Sequence, residues 1–451
     1  MRAAYPPHTV GSVIIGGLMA DDGDQAVADP GQADAMPGGV GHVYPLGSRI
    51  NTAGRLEVGG CDVVELAREF GTPAYVYAED DLRQRARATR AAFAERAADS
   101  EVLFASKSLP CTAALRIFAE EGLSVDVASG GELHFALRAG FDPERIYLHG
   151  NNKTAAELEH AVASGVGHVI VDSFDEIDRL GPIAAAAGRR QRVLLRVTPG
   201  IRPDTHHKIA TGQEDSKFGL PLAALPAALE RATAAGLEVR GLHAHIGSQV
   251  FELDVYDTLA EVLAAAGDFP TVNMGGGFAC AYTRDQHPPS AAEFAERMVE
   301  RLPAGVKVLC EPGRSLVANA GVTLYTVGTV KEIPGVRTYV AVDGGMADNI
   351  RPMLYDAVYE AEVADRFGDD TPCRLVGMHC ESGDILVKDA ALARPRVGDT
   401  VVVPATGAYG HAMASNYNAV PRPPVIFCRD GDARVVVRRE TYEDLTAREL
   451  D

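Results

Sequence analysis

From Pro73 onward, short apolar runs rich in Val, Ile, Leu and Tyr alternate with Ala-, Glu- and Arg-rich stretches of helical period, and Gly or Ser marks the joints. This is β/α repetition. After an opening strand, PAYVY, and its helix, the pattern predicts eight strands: VLFASK ending at Lys107, SVDVAS at Ser129, RIYLHG at Gly150, HVIVDS at Ser173, RVLLRVTP at Pro199, VRGLHAHIG at Gly247, TVNMGGG at Gly277 and VKVLCEPG at Gly313. Eight parallel strands joined by helices close a (β/α)8 barrel. An open doubly wound sheet would be announced by a Gly-rich turn after the first strand, with an acidic residue about 20 positions later. Here the first strand ends in Lys107. Moreover, Lys107, Asp126, His149, Arg196, His245, Gly275 to Gly277 and Glu311 all stand at C-terminal strand ends, where barrels build their sites.

Beyond Ala318 the helical period fades into β-rich runs such as GVTLYTVGTV, RTYVAVDGG, TVVVPATGAY and PPVIFC. The expectation is an α/β protein with the barrel over residues 73–317 and a mostly β C-terminal domain, sandwich-like or barrel-like, over 318–451. Residues 42–72 are read as a segment contributing to the β domain. Residues 1–41, rich in Gly, Pro, Asp and Ala without apolar periodicity, are read as a disordered extension.

Composition narrows the function. The 451 residues are 46% hydrophobic and 23% charged, enough for more than one core. With 43 Lys and Arg against 62 Asp and Glu, the net charge of −19 repels a phosphate backbone, so no nucleic-acid partner is expected. The apolar stretch Val13 to Ala20 is far short of the ~20 residues of a membrane span. Only Arg2 precedes it and Asp21 and Asp22 follow, unlike a secretory signal. No membrane association and a cytoplasmic location are expected. Seven cysteines without a CxxC pair fit neither a disulfide framework nor a zinc site, so no metal is expected.

Several strand-end residues could carry chemistry. In FASKS, Lys107 follows an apolar strand, where a lysine at the mouth of a dry pocket can lose its proton and form a Schiff base, or merely snorkel. MGGGF places Gly275, Gly276 and Gly277 where backbone N–H groups could approach a phosphate without Cβ obstruction, or where a tight turn needs them. HAHIGS adds His245 and the hydroxyl of Ser248, with His243 one step deeper on the same strand face as a core histidine. EPGR supplies Glu311 and Arg314, readable also as a strand-end ion pair.

As a set, FGTPAYVY, FASKS, SVDVASGGEL, HGNNKT, EDSKFGL, HAHIGSQ, MGGGF, EPGRS, DGGMADNIRPMLYDA, HCESGD and GAYGHAMASNYN, in this order from about Phe70 to Arg422, resemble the fold-type III pyridoxal-phosphate decarboxylases of basic amino acids, and among them the diaminopimelate decarboxylase family. The resemblance implies pyridoxal 5′-phosphate as cofactor, covalently linked to Lys107. His245 would stack on the cofactor ring, Glu311 would face the pyridine nitrogen and Asp126 would stand near the cofactor. Ser248, Gly275, Gly276, Gly277, Gly313 and Tyr409, with Arg314 beside them, would hold the phosphate. Arg314, Arg351, Tyr355, Glu381 and Tyr409, and with them Asp384, match substrate-contacting positions, and Cys380 matches the family's catalytic cysteine.

The implied chemistry is coherent. A carboxylate at Glu311 favours the protonated ring nitrogen and so the electron sink a decarboxylation needs, whereas a cation there, as in the related alanine racemases, would favour proton exchange. Arg351 and Arg314 suit a distal carboxylate, and Glu381 and Asp384 a distal ammonium, as on meso-2,6-diaminopimelate. For Arg351 the alternative is a surface ion pair beside Asp348. The expected activity is therefore a carboxy-lyase giving L-lysine and CO2, the last step of lysine biosynthesis. A paralogue acting on a related amino acid in specialised metabolism is the alternative, and a catalytically silent cofactor carrier is disfavoured by HCESGD and the β domain. The resemblance further implies a head-to-tail homodimer with shared sites, in which Cys380 and Glu381 reach across from the neighbouring subunit. The segment GGGFACAYTRDQHPP departs from the small Gly-rich continuation common in the family, and Cys280 within it is read as packing.

Overall fold

The structure, a computed structural model, describes residues 40–201, 216–368 and 371–450. The extension expected to be disordered lies, up to residue 39, outside the described residues. Eight strands, β1 (Ser100–Ala105), β2 (Ser124–Val127), β3 (Ile146–Leu148), β4 (His168–Val171), β5 (Arg192–Thr198), β6 (Glu238–His243), β7 (Thr271–Asn273) and β8 (Lys307–Cys310), pair in parallel in that order. Pairing of β8 with β1 closes the barrel. The predicted barrel is present with all eight strands, each ending a few residues before the turn that follows it in sequence.

The joints explain why helices start where they do. Ser129 accepts the N–H of Glu132 at the head of helix Gly130–Ala139 and Ser173 that of Glu176 at the head of Phe174–Ala186, while Thr154 and Glu157 form a reciprocal capping box on Ala155–Ser164. Each such cap stabilises by about 1 kcal/mol, and each sets where a helix begins after the strand before it.

The β domain is built around the long strand Gly321–Ile333, which pairs antiparallel with Arg337–Val342 on one side and, through its first half, with Thr400–Val403 and Ala74–Ala78. Ala74–Ala78, the opening PAYVY, also pairs parallel with Val425–Arg429. This corrects the expected boundary at residue 73. The strand is buried at every position and belongs to the centre of the β domain, and the barrel unit begins with the helix Glu79–Arg96. A run apolar on both faces reads alike in either setting. Residues 42–72 do join the β domain: Val43, Leu56, Val58 and Val63 share a buried cluster with Val76, Val322 and Val402.

Candidate active site

Strand alternation builds the site one layer at a time. Leu103, Tyr147, Ile170, Leu194 and Leu309, on five of the barrel strands, form one buried apolar cluster. Two residues beyond Tyr147, Leu194, Ile170 and Leu309 stand His149, Arg196, Asp172 and Glu311, all buried. Side chains two apart share a strand face, so a polar layer caps the apolar one. Asp126, His243 and Asn273 are buried at the same strand ends.

Glu311 is the centre of that layer. Its Oε1 accepts from Asn273 Nδ2 at 2.6 Å and lies 2.9 Å from His149 Nε2, at an angle that makes no hydrogen bond; Oε2 lies 3.2 Å from His243 Nε2. Burial alone would raise the carboxyl, but the facing imidazoles of His149 and His243 hold it well below the usual carboxylate range. It is an anion. Burial also pushes His243 down to about 4.

Lys107 sits on the turn Ser106–Ser108 just past β1 and donates to Asp126 Oδ2 at 3.2 Å. Desolvation pulls its ammonium down, yet Asp126, Tyr409, Glu311 and Glu132 together outweigh that and the pKa is raised. The buried carboxylate of Asp126 holds the free amine as its cation. Lys107, His245, Ser248, Gly277, Glu311, Gly313, Arg314 and Tyr409 border one cavity with about 410 Å³ of empty space. Gly276 donates its N–H to His245 Nδ1 at 3.1 Å, so that nitrogen carries no proton. Burial and then the charge of Lys107 push His245 well below its ordinary pKa, and the ring is neutral.

Two of the three expected phosphate glycines are corrected. The Gly275 N–H goes to Asn273 Oδ1 at 2.9 Å and the Gly276 N–H to His245, which leaves Gly277 as the one bordering the cavity. Close packing explains the other two. A Cβ would stand 2.5 Å from Ala244 O at Gly275, where φ is +69°, and 2.2 Å from Glu311 O at Gly276. Opposite them, Arg314 Nη2 donates to Ser248 Oγ at 2.8 Å and its guanidinium lies 4.8 Å from the ring centre of Tyr409. Tyr409 has left-handed backbone, φ 64°, a conformation uncommon outside glycine that the surrounding site imposes.

Arg314, on the cavity lining, stands near Arg351, which does not border the cavity. Arg314 and Arg351 are both buried, and both lie over the ring of Tyr282, at 5.8 and 4.6 Å. Arg314 donates to the Tyr282 hydroxyl and Arg351 to that of Tyr359. Among the described residues no carboxylate comes within 4.0 Å of either guanidinium. The surface pair with Asp348 does not form, because Asp348 accepts from Tyr325 and from Gly345 N. Tyr282, Tyr359 and Asn273 escaped the sequence reading. The only trace of Asn273 is one polar residue in an apolar strand, two positions before Gly275.

Other expected residues stand apart from the cavity. Cys380 is the one exposed cysteine among the seven, and Glu381, also exposed, accepts from the Tyr417 hydroxyl. Tyr355 is half-buried at the end of the short helix Arg351–Tyr355. Asp384 is corrected as a substrate residue: it is 3% exposed, and its oxygens accept from Met346 N, His379 N and His379 Nδ1 at 2.6 to 3.0 Å. It shapes the loop and has no face left for an ammonium.

Pyridoxal phosphate fits these residues. Asp126 Oδ1 and His149 Nε2 are buried polar atoms without a hydrogen bond beside the lining residues Lys107 and Glu311, and Arg314, a guanidinium with no carboxylate against it, borders the cavity. No described helix is long and apolar enough to cross a membrane.

Comparison with known proteins agrees. Residues 79–318 match the family model of the pyridoxal-dependent decarboxylases, pyridoxal binding domain. The diaminopimelate decarboxylase of Bacillus subtilis is 45% identical over 89% of this chain and 97% of its own, and that of Actinosynnema pretiosum 48% identical over 90% and 95%. The crystal structure of diaminopimelate decarboxylase from M. jannaschii with L-lysine superposes with a TM-score of 0.84, at 31% identity over 90% of this chain and 98% of that one.

Proposed function

The chain belongs to the diaminopimelate decarboxylase family of pyridoxal-dependent decarboxylases, and from that premise we infer how its residues divide the work. The reaction is the decarboxylation of meso-2,6-diaminopimelate to L-lysine and CO2 with pyridoxal 5′-phosphate as cofactor. When bound, the cofactor supplies a conjugated ring that accepts the electron pair left behind by CO2.

Lys107, with Asp126 beside it, would hold the cofactor covalently. His245, neutral and fixed by Gly276 N–H, would face the ring and help set its plane without adding charge. Glu311 favours the proton on the ring nitrogen. Ser248, Gly277, Gly313, Arg314 and Tyr409 hold the phosphate. Arg351, helped by Tyr359 and with Arg314 at its side, takes the distal carboxylate of the substrate, an arginine fork suiting a planar anion. Cys380 would be the proton donor to the substrate's α carbon, and Glu381 would pair with the distal ammonium.

Those last two residues come from a second copy of the chain. Cys380 and Glu381 are exposed and border no part of the cavity, and exposed Met353, Met378 and Tyr417 stand around their loop, an apolar patch of the kind a partner covers. The reading is thus a homodimer with shared sites. Seven free thiols suit a reducing, cytoplasmic setting.

The observation that carries the substrate is Arg351, a buried cation with two tyrosines and no carboxylate against it. Leaving it unpaired costs about 3–5 kcal/mol, so lysine and ornithine should react about 1,000-fold or more slowly than diaminopimelate. Arg351→Gln should narrow that ratio. Equal CO2 release from lysine and diaminopimelate by the wild type would sink the clamp.

A further inference from the structure

Asn273 and His243 touch no part of the cavity, yet both contact Glu311. Asn273 cannot turn over. Its Oδ1 is taken by the Gly275 N–H at 2.9 Å, a group that can only donate, so the end presented to Glu311 Oε1 at 2.6 Å must be the NH2. His243 has Nε2 at 3.2 Å from Oε2, while its buried Nδ1 has no partner. An unpaired acceptor is tolerated inside a protein better than an unpaired N–H, so the proton sits on Nε2 and points at the carboxylate. Desolvation, which lowers this histidine to about 4, keeps it neutral. Both oxygens of Glu311 therefore face donors from residues that carry no charge themselves.

We propose that Asn273 and His243 are positioning residues that hold Glu311 ionised and aimed at the cofactor's ring nitrogen without neutralising it. A lysine or arginine in their place would stabilise the anion equally well but would cancel its field at the ring. Neutral donors stabilise the charge and leave it available. Asn273 does more than donate: through Gly275, whose carbonyl accepts from Glu311 N at 2.8 Å, it locks the carboxylate to the glycine turn beside the cavity. Other titratable groups facing this carboxylate are His149, at 2.9 Å, and, farther off, His245, Arg196, Lys107, Tyr147 and Cys310.

The inference rests on the assignment of Glu311 to the ring nitrogen, and its test separates the two. Holoenzyme is loaded with cofactor labelled with 15N in the ring, and the nitrogen resonance reports protonation directly, independent of turnover. Wild type should show the protonated shift, and Glu311→Gln the unprotonated one. Asn273→Ala and His243→Leu should each lower the protonation constant by about tenfold, the worth of one hydrogen bond to a charged group. His243→Gln, which restores an N–H donor, should recover most of it, a rescue that lost packing alone would not give. If Glu311→Gln leaves the nitrogen protonated, the assignment of Glu311 fails. If Glu311→Gln shifts the resonance while Asn273→Ala and His243→Leu do not, the positioning role alone is overturned.

Discussion

At the mouth of the barrel, reactive side chains are met by others from the same chain: Lys107 by Asp126, Glu311 by Asn273 and His243, Arg314 by Ser248. The loop 377–384 of the β domain is arranged otherwise. Its buried half is equally settled, with Asp384 holding His379 and the backbone of Met346, but Cys380 and Glu381 are held outward on that rigid base. The barrel spends its polar groups on one another and on a cofactor. The loop spends half of its own on holding the other half out, an arrangement that makes physical sense when the target lies on another subunit.

The comparison is broken most severely by removing the anchor. Lys107→Ala should cost about 10,000-fold or more in turnover, as loss of a nucleophile does, and should abolish the borohydride-trappable cofactor linkage. A linkage that survives would move the anchor elsewhere. In the loop, Asp384→Ala should act through stability, costing about 3–5 kcal/mol because His379 and two backbone N–H groups lose a buried carboxylate. Denaturant unfolding checks this, and an undiminished midpoint would show that the base of the loop is not held by Asp384.

The smallest effect is a pH dependence of the floor. His243 is held at about 4, below the ordinary 6.5 of an unfolded histidine. Between those values the unfolded chain binds the extra proton, so this source of stability is complete above pH 6.5 and is lost as the pH falls toward 4, up to about 3 kcal/mol. His168 and His411, also depressed by burial, slope the same way. They remain in His243→Leu, so the variant's unfolding free energy should fall less steeply than wild type over this window. Parallel curves would mean that His243 is not protonated on unfolding.

Much of this was legible in the chain. Short apolar runs alternating with segments of helical period, jointed by Gly or Ser, marked the eight strands, and chemistry at their C-terminal ends located the mouth. What escaped has identifiable causes. PAYVY was placed in the wrong unit because a strand buried on both faces has no alternation to show which sheet it joins. Gly275 and Gly276 were taken for phosphate donors because spacing does not reveal that Asn273 and His245 take their N–H groups. Asp384 looked like a ligand because acidity is visible in sequence and burial is not. Tyr282, between two arginines, lay in the segment that departs from the family's pattern, where no motif pointed to it.

The central claim, that one chain's barrel is completed by another chain's loop, is tested by mixing two inactive variants. Lys107→Ala lacks the anchor and Cys380→Ala the proton donor, so random reassociation makes half of the dimers mixed, each with one intact site of two. Activity should return to roughly a quarter of wild type. If native mass spectrometry shows mixed dimers and activity stays at the level of the separate variants, Cys380 serves the Lys107 of its own chain and the account of a shared site is contradicted.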